Sequence, residues 1–331
     1  MGHRGGRKRG GVERKAGQDD TEARRKSVPR DTQRGMPAVD DLIPGRKRCR
    51  VSPSLSGCWK CLDSPTPYSE RLRKSEPPML EHTFLHLDSI GPLTELGLWR
   101  QGVLTWDDLE RHLARWPSSP VRRRTLLEEL EASRRNRTWA AYFNDRLPRA
   151  ERWRLYRDFR ESCAFLDIET TGMSAYGHEI TVIGLYDGER LHQFVNGENL
   201  EEFEDALERF NLLVTFNGAR FDLPFISTYF RTLRFRQAHI DLCFLFNRLG
   251  YRGGLKKIEP LLGITREPEI QEMGGCDAVI LWQQHLNGDS GALRRLLLYN
   301  RADVVNLKLL MERAWEELHR NLELAATRPL P

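Results

Sequence analysis

Residues 164–172 decide the fold of this chain and read Ala-Phe-Leu-Asp-Ile-Glu-Thr-Thr-Gly. The apolar start is typical of a buried strand, and Asp167 and Glu169 follow two residues apart. Side chains at i and i+2 of a strand share one face, so both carboxylates lie together where Thr-Thr-Gly ends the strand. Adjacent like charges require a compensating cation, and Mg²⁺ prefers carboxylate oxygens. The alternative at this point is a strand end with two solvated acids.

Two further acidic elements follow in a matching context. An apolar run at residues 212–216 predicts a strand buried on both faces, and Asn-Gly-Ala-Arg-Phe-Asp at residues 217–222 comes directly after it. A polar group at the carboxyl end of a sheet strand is well placed for a site. In the last predicted helix, Tyr299 and Asp303 are four residues apart and therefore neighbours on one face. Four carboxylates on one sheet are able to hold two metal ions about 3.5–4 Å apart, as in phosphodiester cleavage.

From Cys163 onward the pattern alternates between strand and helix. Besides the first strand, we predict strands at residues 179–186, 191–195, 212–216 and 239–245, and helices at residues 200–210, 223–232 and 292–319. This order, β-β-β-α-β-α-β-α, predicts an α/β fold with a mixed β-sheet flanked by helices. We place this domain at residues 161–320, followed by a tail at residues 321–331.

A small helical module and connector is predicted upstream, at residues 79–160. The turn at residues 83–95 resembles a helix-hairpin-helix, in which a Gly-x-Gly turn offers backbone N–H groups to a nucleic-acid phosphate. Ser89 stands at the first Gly position, so a packing module is at least an equal alternative. Thr105 is a predicted helix N-cap. The many arginines of residues 121–160 indicate a solvated face more than a binding surface.

Charge and composition are uneven along the chain. Residues 1–78 carry 19 Lys and Arg against 10 Asp and Glu, whereas the remainder carries 33 against 37. Residues 1–78 also hold eight of the seventeen prolines and only two aromatic residues, too little to offset the entropy of ordering them. We predict a disordered basic leader. Its basic clusters can attract phosphates, but a solvated tail, or sequence upstream of a start at Met79, is favoured.

Cysteine usage and hydropathy limit the class of protein. Six scattered cysteines fit a reducing compartment better than a disulfide scaffold. Cys58 and Cys61 form the one tight pair, and no second pair with ligand spacing follows, so we predict no metal or redox role for them. No apolar run approaches the length of a membrane span, and the first residues lack the apolar core of a secretory signal. We expect a cytoplasmic protein without a membrane partner.

The three acidic elements together resemble a known set of motifs. Asp167-x-Glu169, Asn217-x-x-x-Phe221-Asp222 and Tyr299-x-x-x-Asp303 are similar to the three motifs of DEDD-type 3′–5′ exonucleases. The second has the form found in the proofreading domains of family B polymerases, and the tyrosine in the third indicates the tyrosine subclass. Residues 79–318 as a whole resemble bacterial ribonuclease-H-like proteins of the YprB type, which implies a ribonuclease-H-like fold.

This resemblance implies a metal-dependent 3′–5′ exonuclease that acts on a DNA or RNA 3′ end with two divalent ions, Mg²⁺ or Mn²⁺. Asp167 would bridge both ions, Glu169 and Asp303 would complete one site, and Asp222 would hold the second. Tyr299 would orient the attacking water. Bound metal lowers the pKa of that water and offsets charge on the leaving oxygen.

Contacts to the substrate are implied for further residues. The terminal nucleotide would be supported by Asn217 and Phe221 and enclosed by Thr170, Gly172 and Met173. For Phe221 and Met173 the alternative is simple core packing. Lys256, which follows Gly-Gly-Leu at the start of a predicted helix, is a candidate phosphate contact. Its alternative is a surface lysine without a partner.

Two other functions stay open. A noncatalytic nucleic-acid-binding module could keep the same fold, although a phosphate-binding site gains nothing from four carboxylates. Internal cutting of RNA–DNA hybrids is the second, and the Tyr-x-x-x-Asp ending disfavours it.

Overall fold

The structure, a computed structural model, describes residues 79–327. The predictions for the leader at residues 1–78, including the Cys58 and Cys61 pair, and for the last four residues lie outside the described residues. Five strands are described: β1 Cys163–Thr170, β2 Ile180–Tyr186, β3 Leu191–Val195, β4 Leu212–Thr215 and β5 Ala238–Asp241. They form one sheet in the order β3-β2-β1-β4-β5. Pairing is antiparallel from β1 to β3 and parallel from β1 through β4 to β5, so the predicted mixed sheet is confirmed.

Helices flank this sheet on both faces. Within residues 79–327 the α-helices are α1 Pro92–Arg100, α2 Trp106–Leu113, α3 Pro120–Arg135, α4 Ala140–Asn144, α5 Leu155–Phe159, α6 Phe203–Leu207, α7 Asp222–Tyr229, α8 Leu242–Arg248, α9 Leu255–Leu261, α10 Gly275–Leu286 and α11 Ser290–Thr327. Short 3-10 helices lie at Met79–His82, Arg149–Arg154, Arg160–Ser162 and Leu200–Glu202.

The element ends differ from prediction at several places, and the predicted helix at residues 223–232 is Asp222–Tyr229. The predicted strand at residues 239–245 ends at Asp241, because the Asp241 carboxylate accepts the N–H of Cys243 and starts α8. The predicted helix at residues 200–210 is a 3-10 turn followed by the short α6. The last helix continues to Thr327.

β1 is the central strand, and its side chains alternate between two cores. Cys163 and Phe165 pack into the core on the face covered by α11, whereas Leu166 and Ile168 pack into the core on the opposite face. The two-residue period of a strand therefore places the acids at positions 167 and 169 on the α11 face. The acids are thus brought under the last helix.

Residues 79–160 pack on the face of the sheet that α11 covers. Their largest buried side chains share one continuous core with β1 and β4; they include Leu80, Phe84, Leu109, Leu126, Phe143 and Trp153. Each fully buried side chain of this size contributes about 1.5–3 kcal/mol. This core joins the helical region to the sheet, and the domain boundary at residue 160 stays a prediction.

The turn at residues 83–95 is used for packing. A 3-10 helix, Met79–His82, precedes it in place of a first α-helix. The backbone N–H of Asp88 donates to Glu129 Oε2 at 2.9 Å, and Arg122 donates to the carbonyl of Ser89 at 3.1 Å, so α3 occupies these groups. These contacts support the packing-module alternative. The predicted cap at Thr105 is confirmed, because its hydroxyl accepts the N–H of Asp108 in a capping box.

Among residues 79–327, no helix combines the length and the apolar character that a bilayer crossing requires.

His86 is a buried histidine next to two aromatic rings. Its ring centre lies 5.5 Å from that of Trp106 and 5.3 Å from that of Phe143. Burial, assisted by the charges of Arg146 and Arg154, lowers the pKa of His86 from 6.5 to about 3. In the unfolded chain, His86 is therefore protonated below about pH 6.5. In the folded protein it stays neutral until the pH falls towards 3. His86 thus makes the folded protein less stable as the pH falls through this window.

We expect His86→Phe to reduce this acid sensitivity. The free energy of unfolding of the wild type should fall relative to that of the variant by about 1.4 kcal/mol per pH unit below about pH 6. Urea unfolding at a series of pH values down to about 4.5 measures it. Stability curves that stay parallel over this range would contradict the assignment.

Candidate active site

Three carboxylates meet beneath α11. Asp167 and Glu169 come from β1 and Asp303 from α11, and each offers an oxygen within 4.8 Å of the other two. Glu169 is 7% exposed, Asp303 is 6% exposed and Asp167 is half-buried. The alternative of two solvated acids at a strand end is therefore wrong, and the predicted convergence of these three acids is what the structure contains.

A glycine on β2 lets α11 approach the sheet at this point. Gly184 stands opposite Asp167 in the β1–β2 register. A Cβ atom at Gly184 would overlap the side chains of Asn300 and Val304 on α11. Asn300 is fully buried, and its Nδ2 donates to Asp167 Oδ2 at 3.4 Å. Neither residue was predicted: Gly184 is revealed by the strand register, whereas Asn300 stands three residues before Asp303 on α11, a spacing that the sequence offered.

Asp222 lies beside the three-acid group without being a member of it. It is the first residue of α7 and is buried, and its Oδ1 accepts the backbone N–H of Ile168, between the two β1 acids, at 3.2 Å. The fourth predicted acid is therefore adjacent to the group and tied to β1.

The loop that carries Asp222 is anchored by Asp241, which the sequence analysis missed. The two carboxylate oxygens of Asp241 accept the N–H of Asn217 at 2.8 Å and of Ala219 at 3.1 Å. Asn217 has a φ of +64°, a conformation that asparagine tolerates better than most residues. At Gly218 a Cβ atom would overlap Thr215. A carboxylate at the end of β5 was the available signal, since β5 is parallel to β4 and ends at the same edge.

Burial and mutual repulsion keep the four carboxyls from ionising together. Burial first, and then the charges of the other acids, raise the pKa of Asp167 and of Glu169 well above its usual range. Burial raises the pKa of Asp222 to about 7, although hydrogen bonds oppose the shift. Burial also raises the pKa of Asp303, against the neighbouring Arg266. The arrangement is electrostatically unfavourable until a cation compensates it.

Arg266 supplies part of that compensation and was not predicted. Its guanidinium forms a two-pronged pair with Glu259, at 2.8 and 2.7 Å, and also contacts Asp303. Asn306 completes the hydrogen bonding of Glu259 at 2.8 Å. Asp303 is therefore shared between Arg266 and the acid group, so an entering cation and the guanidinium act on the same carboxylate. Arg266 lies 37 residues before Asp303, and no local pattern links them.

Tyr299 and Lys256 lie together at the edge of the acid group. Tyr299 is buried one helical turn before Asp303, and the Lys256 Nζ lies 4.3 Å from the centre of its ring. That Nζ is buried without a hydrogen-bond partner among the described residues, so the surface-lysine alternative is wrong. Burial and the nearby carboxylates raise the pKa of Tyr299, and the phenol keeps its proton at neutral pH. Burial lowers the pKa of Lys256, although the charge of Asp303 opposes the shift.

The predicted nucleotide contacts lie at the ends of β1 and β4. Thr170 Oγ1 donates to the carbonyl of Gly172 at 2.8 Å. Phe221 packs partly into the core, with its ring 5.6 Å from that of Phe225. Met173 is 83% exposed, so its alternative of core packing is wrong. Roles in substrate binding stay predictions for Thr170, Gly172, Asn217, Phe221 and Lys256.

The donor set fits a hard divalent cation. Its three converging groups are carboxylates, the ligands that Mg²⁺ and Mn²⁺ prefer, and Glu169 and Asp303 are buried. Arg266 and Lys256 supply the positive charge beside them. Asp167, Glu169 and Asp303 are the residues that would hold it. A mixed sheet with such an acidic group beneath its last helix defines a ribonuclease-H-like domain.

Comparison with known proteins agrees with this class. Residues 164–315 match the family model RNase_H_2, described as RNase_H superfamily. The chain is 31% identical over 168 residues to the uncharacterized protein MJ0365 of Methanocaldococcus jannaschii, an alignment that covers 46% of this chain and 91% of that protein. Residues 164–315 therefore form a domain of the RNase_H superfamily, and the chain belongs to the family of this archaeal protein.

Solved structures with a similar fold cover about half of the chain. The family B DNA polymerase of Pyrobaculum calidifontis is 15% identical, with a TM-score of 0.39 over 51% of this chain and 26% of the polymerase. Brucella melitensis NrnC is 19% identical, with a TM-score of 0.34 over 52% of this chain and 81% of NrnC. NrnC has also been solved bound to pGG. The chain thus spans about a quarter of the polymerase and most of NrnC.

Proposed function

We propose that this protein is a metal-dependent 3′–5′ exonuclease that hydrolyses nucleic-acid phosphodiester bonds with two divalent ions. The observation that carries the proposal is the convergence of Asp167, Glu169 and Asp303 beneath Tyr299 on one face of the sheet. Membership of the RNase_H superfamily supports it, because the matched residues contain all four acids.

The side chains divide the work by chemistry. Asp167, Glu169 and Asp303 are proposed to hold one cation, and Asp222, which accepts the N–H of Ile168, is proposed to serve a second. When bound, such ions activate the attacking water and offset charge on the leaving oxygen. Tyr299, which keeps its proton, orients that water by hydrogen bonding.

The substrate is proposed to enter at the carboxyl ends of β1 and β4. Lys256 has an ammonium group without a hydrogen-bond partner, which suits it to a phosphate of the substrate. Asn217 and Phe221 would support the last nucleotide, and Thr170 and Gly172 would border it. Membership of the YprB type and a cytoplasmic location are proposed on the sequence alone.

The test uses one strand labelled in turn at its 3′ and 5′ ends, as DNA and as RNA, incubated with Mg²⁺ or Mn²⁺. A 3′–5′ exonuclease releases the 3′ label first and leaves a shortening ladder of 5′-labelled strands. A circular strand of the same sequence should stay intact, because it has no end. Cleavage of the circle would indicate internal cutting, and binding without turnover in Mn²⁺ would indicate a noncatalytic module.

A further inference from the structure

Two arginines lie against one phenyl ring near the acid group. The guanidinium carbon of Arg149 is 4.1 Å from the centre of the Phe244 ring, and that of Arg220 is 5.4 Å from it. Phe244 is half-buried on α8, and both arginines are exposed. Contact with an aromatic face attracts and orients a guanidinium. We name Arg149, Arg220 and Phe244 the Phe244 patch.

The positive charge of the Phe244 patch is not neutralised within the described part of the chain. None of Arg149, Arg152 and Arg220 forms an ion pair there, in contrast to Arg154 and Arg266. Arg152 Nε is buried without a hydrogen-bond partner among residues 79–327. The two guanidinium groups that share the Phe244 ring, both without an ion pair among the described residues, are arranged for an anion.

The pKa values of two residues next to the patch, Arg152 and His239, are lowered in part by its positive charge. Burial first, and then the charge of Arg149, lower the pKa of Arg152, although the charge of Asp145 opposes the shift. Burial, followed by the charges of Arg149 and Arg152, lowers the pKa of His239 to about 4. His239 is therefore neutral at physiological pH and does not add to the patch. An anionic partner would relieve the repulsion between the arginines.

The Phe244 patch brings together the loop before Asp222, α8 and the 3-10 helix Arg149–Arg154. Arg220 belongs to the loop between β4 and α7, two residues before Asp222. Phe244 follows Asp241 by three residues, and the Asp241 carboxylate holds that same loop through Asn217 and Ala219. The patch is therefore connected to Asp222 through one anchored loop, at the edge where β4 and β5 end.

We propose that the Phe244 patch binds the phosphates of a single-stranded nucleic acid upstream of the 3′ end that enters the acid group. This inference rests on the proposed function and deepens it. The guanidinium groups bind the sugar–phosphate backbone without reading the sequence. Phe244 positions two of them in advance, so less side-chain entropy is lost when the strand binds.

The test is fluorescence anisotropy with labelled single-stranded oligothymidylate and oligouridylate, in EDTA so that no cleavage occurs. The full-length wild type is compared with Arg149→Gln/Arg220→Gln. The matched control, Arg313→Gln/Arg320→Gln, removes the same charge from exposed positions on the second half of α11. Thermal unfolding of each variant verifies that the fold is retained.

We expect the patch variant to bind about tenfold to a hundredfold more weakly at low salt. The slope of log affinity against log salt should shrink by roughly 1.4, because two phosphate contacts are lost at about 0.7 each. Phe244→Leu should weaken binding by a smaller factor and leave the slope near that of the wild type. The control should bind like the wild type.

Unchanged affinity and slope in Arg149→Gln/Arg220→Gln would overturn the inference, and the same holds if the wild type does not bind either strand. A parallel cleavage assay in Mn²⁺ separates this from the proposed function. Cleavage by the wild type together with unchanged binding by the variant would refute the patch alone. Binding that depends on the patch, without cleavage by the wild type, would support the patch and refute the exonuclease.

Discussion

Asp167→Asn is expected to lower the rate of strand cleavage about 10³-fold or more. Asp167 belongs to the group that would hold the cation, and the change to asparagine removes its charge while keeping its size. Metal catalysis of this type supplies several kcal/mol of transition-state stabilisation, and each 1.36 kcal/mol corresponds to a factor of ten. The same variant should be at least as stable as the wild type without metal, because burial and neighbouring acids raise the pKa of Asp167 and make its charged form costly.

Initial rates on a 3′-labelled strand in Mn²⁺ measure the first effect, and thermal unfolding in EDTA measures the second. Asp205→Asn, at an exposed acid on α6, is the matched control and should change neither quantity. A variant at position 167 that retains a rate within about threefold of the wild type would contradict the role of Asp167. A loss of rate that accompanies unfolding would be uninformative about chemistry, which is why the stability measurement belongs to the same experiment.

Arg154→Met is expected to cost about 3–5 kcal/mol of folding free energy. Arg154 is fully buried and pairs with Glu95 and Glu151, each at 2.9 Å. Glu95 also accepts the N–H of Phe84 at 2.7 Å, so the cluster joins the turn before α1 to the 3-10 helix before α5. Removal of the guanidinium leaves a carboxylate buried at Glu95, whose pKa burial raises even with Arg154 present.

Urea unfolding measures this loss of folding free energy. Two further variants of the chain serve as controls. Arg294→Met removes an exposed pair with Glu269 and should cost at most about 1 kcal/mol. Glu95→Gln/Glu151→Gln/Arg154→Met removes the buried charges together and should recover most of the loss, since neutral groups of similar size avoid the unpaired charge. Equal costs for Arg154→Met and Arg294→Met would show that the buried cluster does not stabilise the fold.

The features that the sequence predicted correctly are those set by residues close together in the chain. The apolar run before Asp167 and its two-residue spacing to Glu169 were sufficient to predict a strand with both acids on one face. The four-residue spacing of Tyr299 and Asp303 likewise predicted a common helix face. Each of these inferences uses neighbours in the chain, and the mixed sheet follows from their order.

The residues that the sequence analysis missed depend on tertiary contacts. Arg266 reaches Asp303 across a chain separation that carries no periodic signal. Gly184 matters because of the register between β1 and β2, and Asp241 because β5 ends beside the loop at residues 217–222. The sequence left Lys256 open between a phosphate contact and a surface lysine without a partner, and only the fold shows that its ammonium group is buried beside Tyr299.

Asp167, Glu169 and Asp303 are expected to hold a divalent cation. Calorimetric titration of the protein with Mn²⁺ at neutral pH measures this binding. We expect the wild type to bind Mn²⁺ saturably and to release protons, because carboxyls with raised pKa must lose protons to act as ligands. Asp167→Asn should abolish that binding while the protein stays folded. An absence of Mn²⁺ binding by the wild type, or equal binding by Asp167→Asn, would contradict a cation site at these three acids.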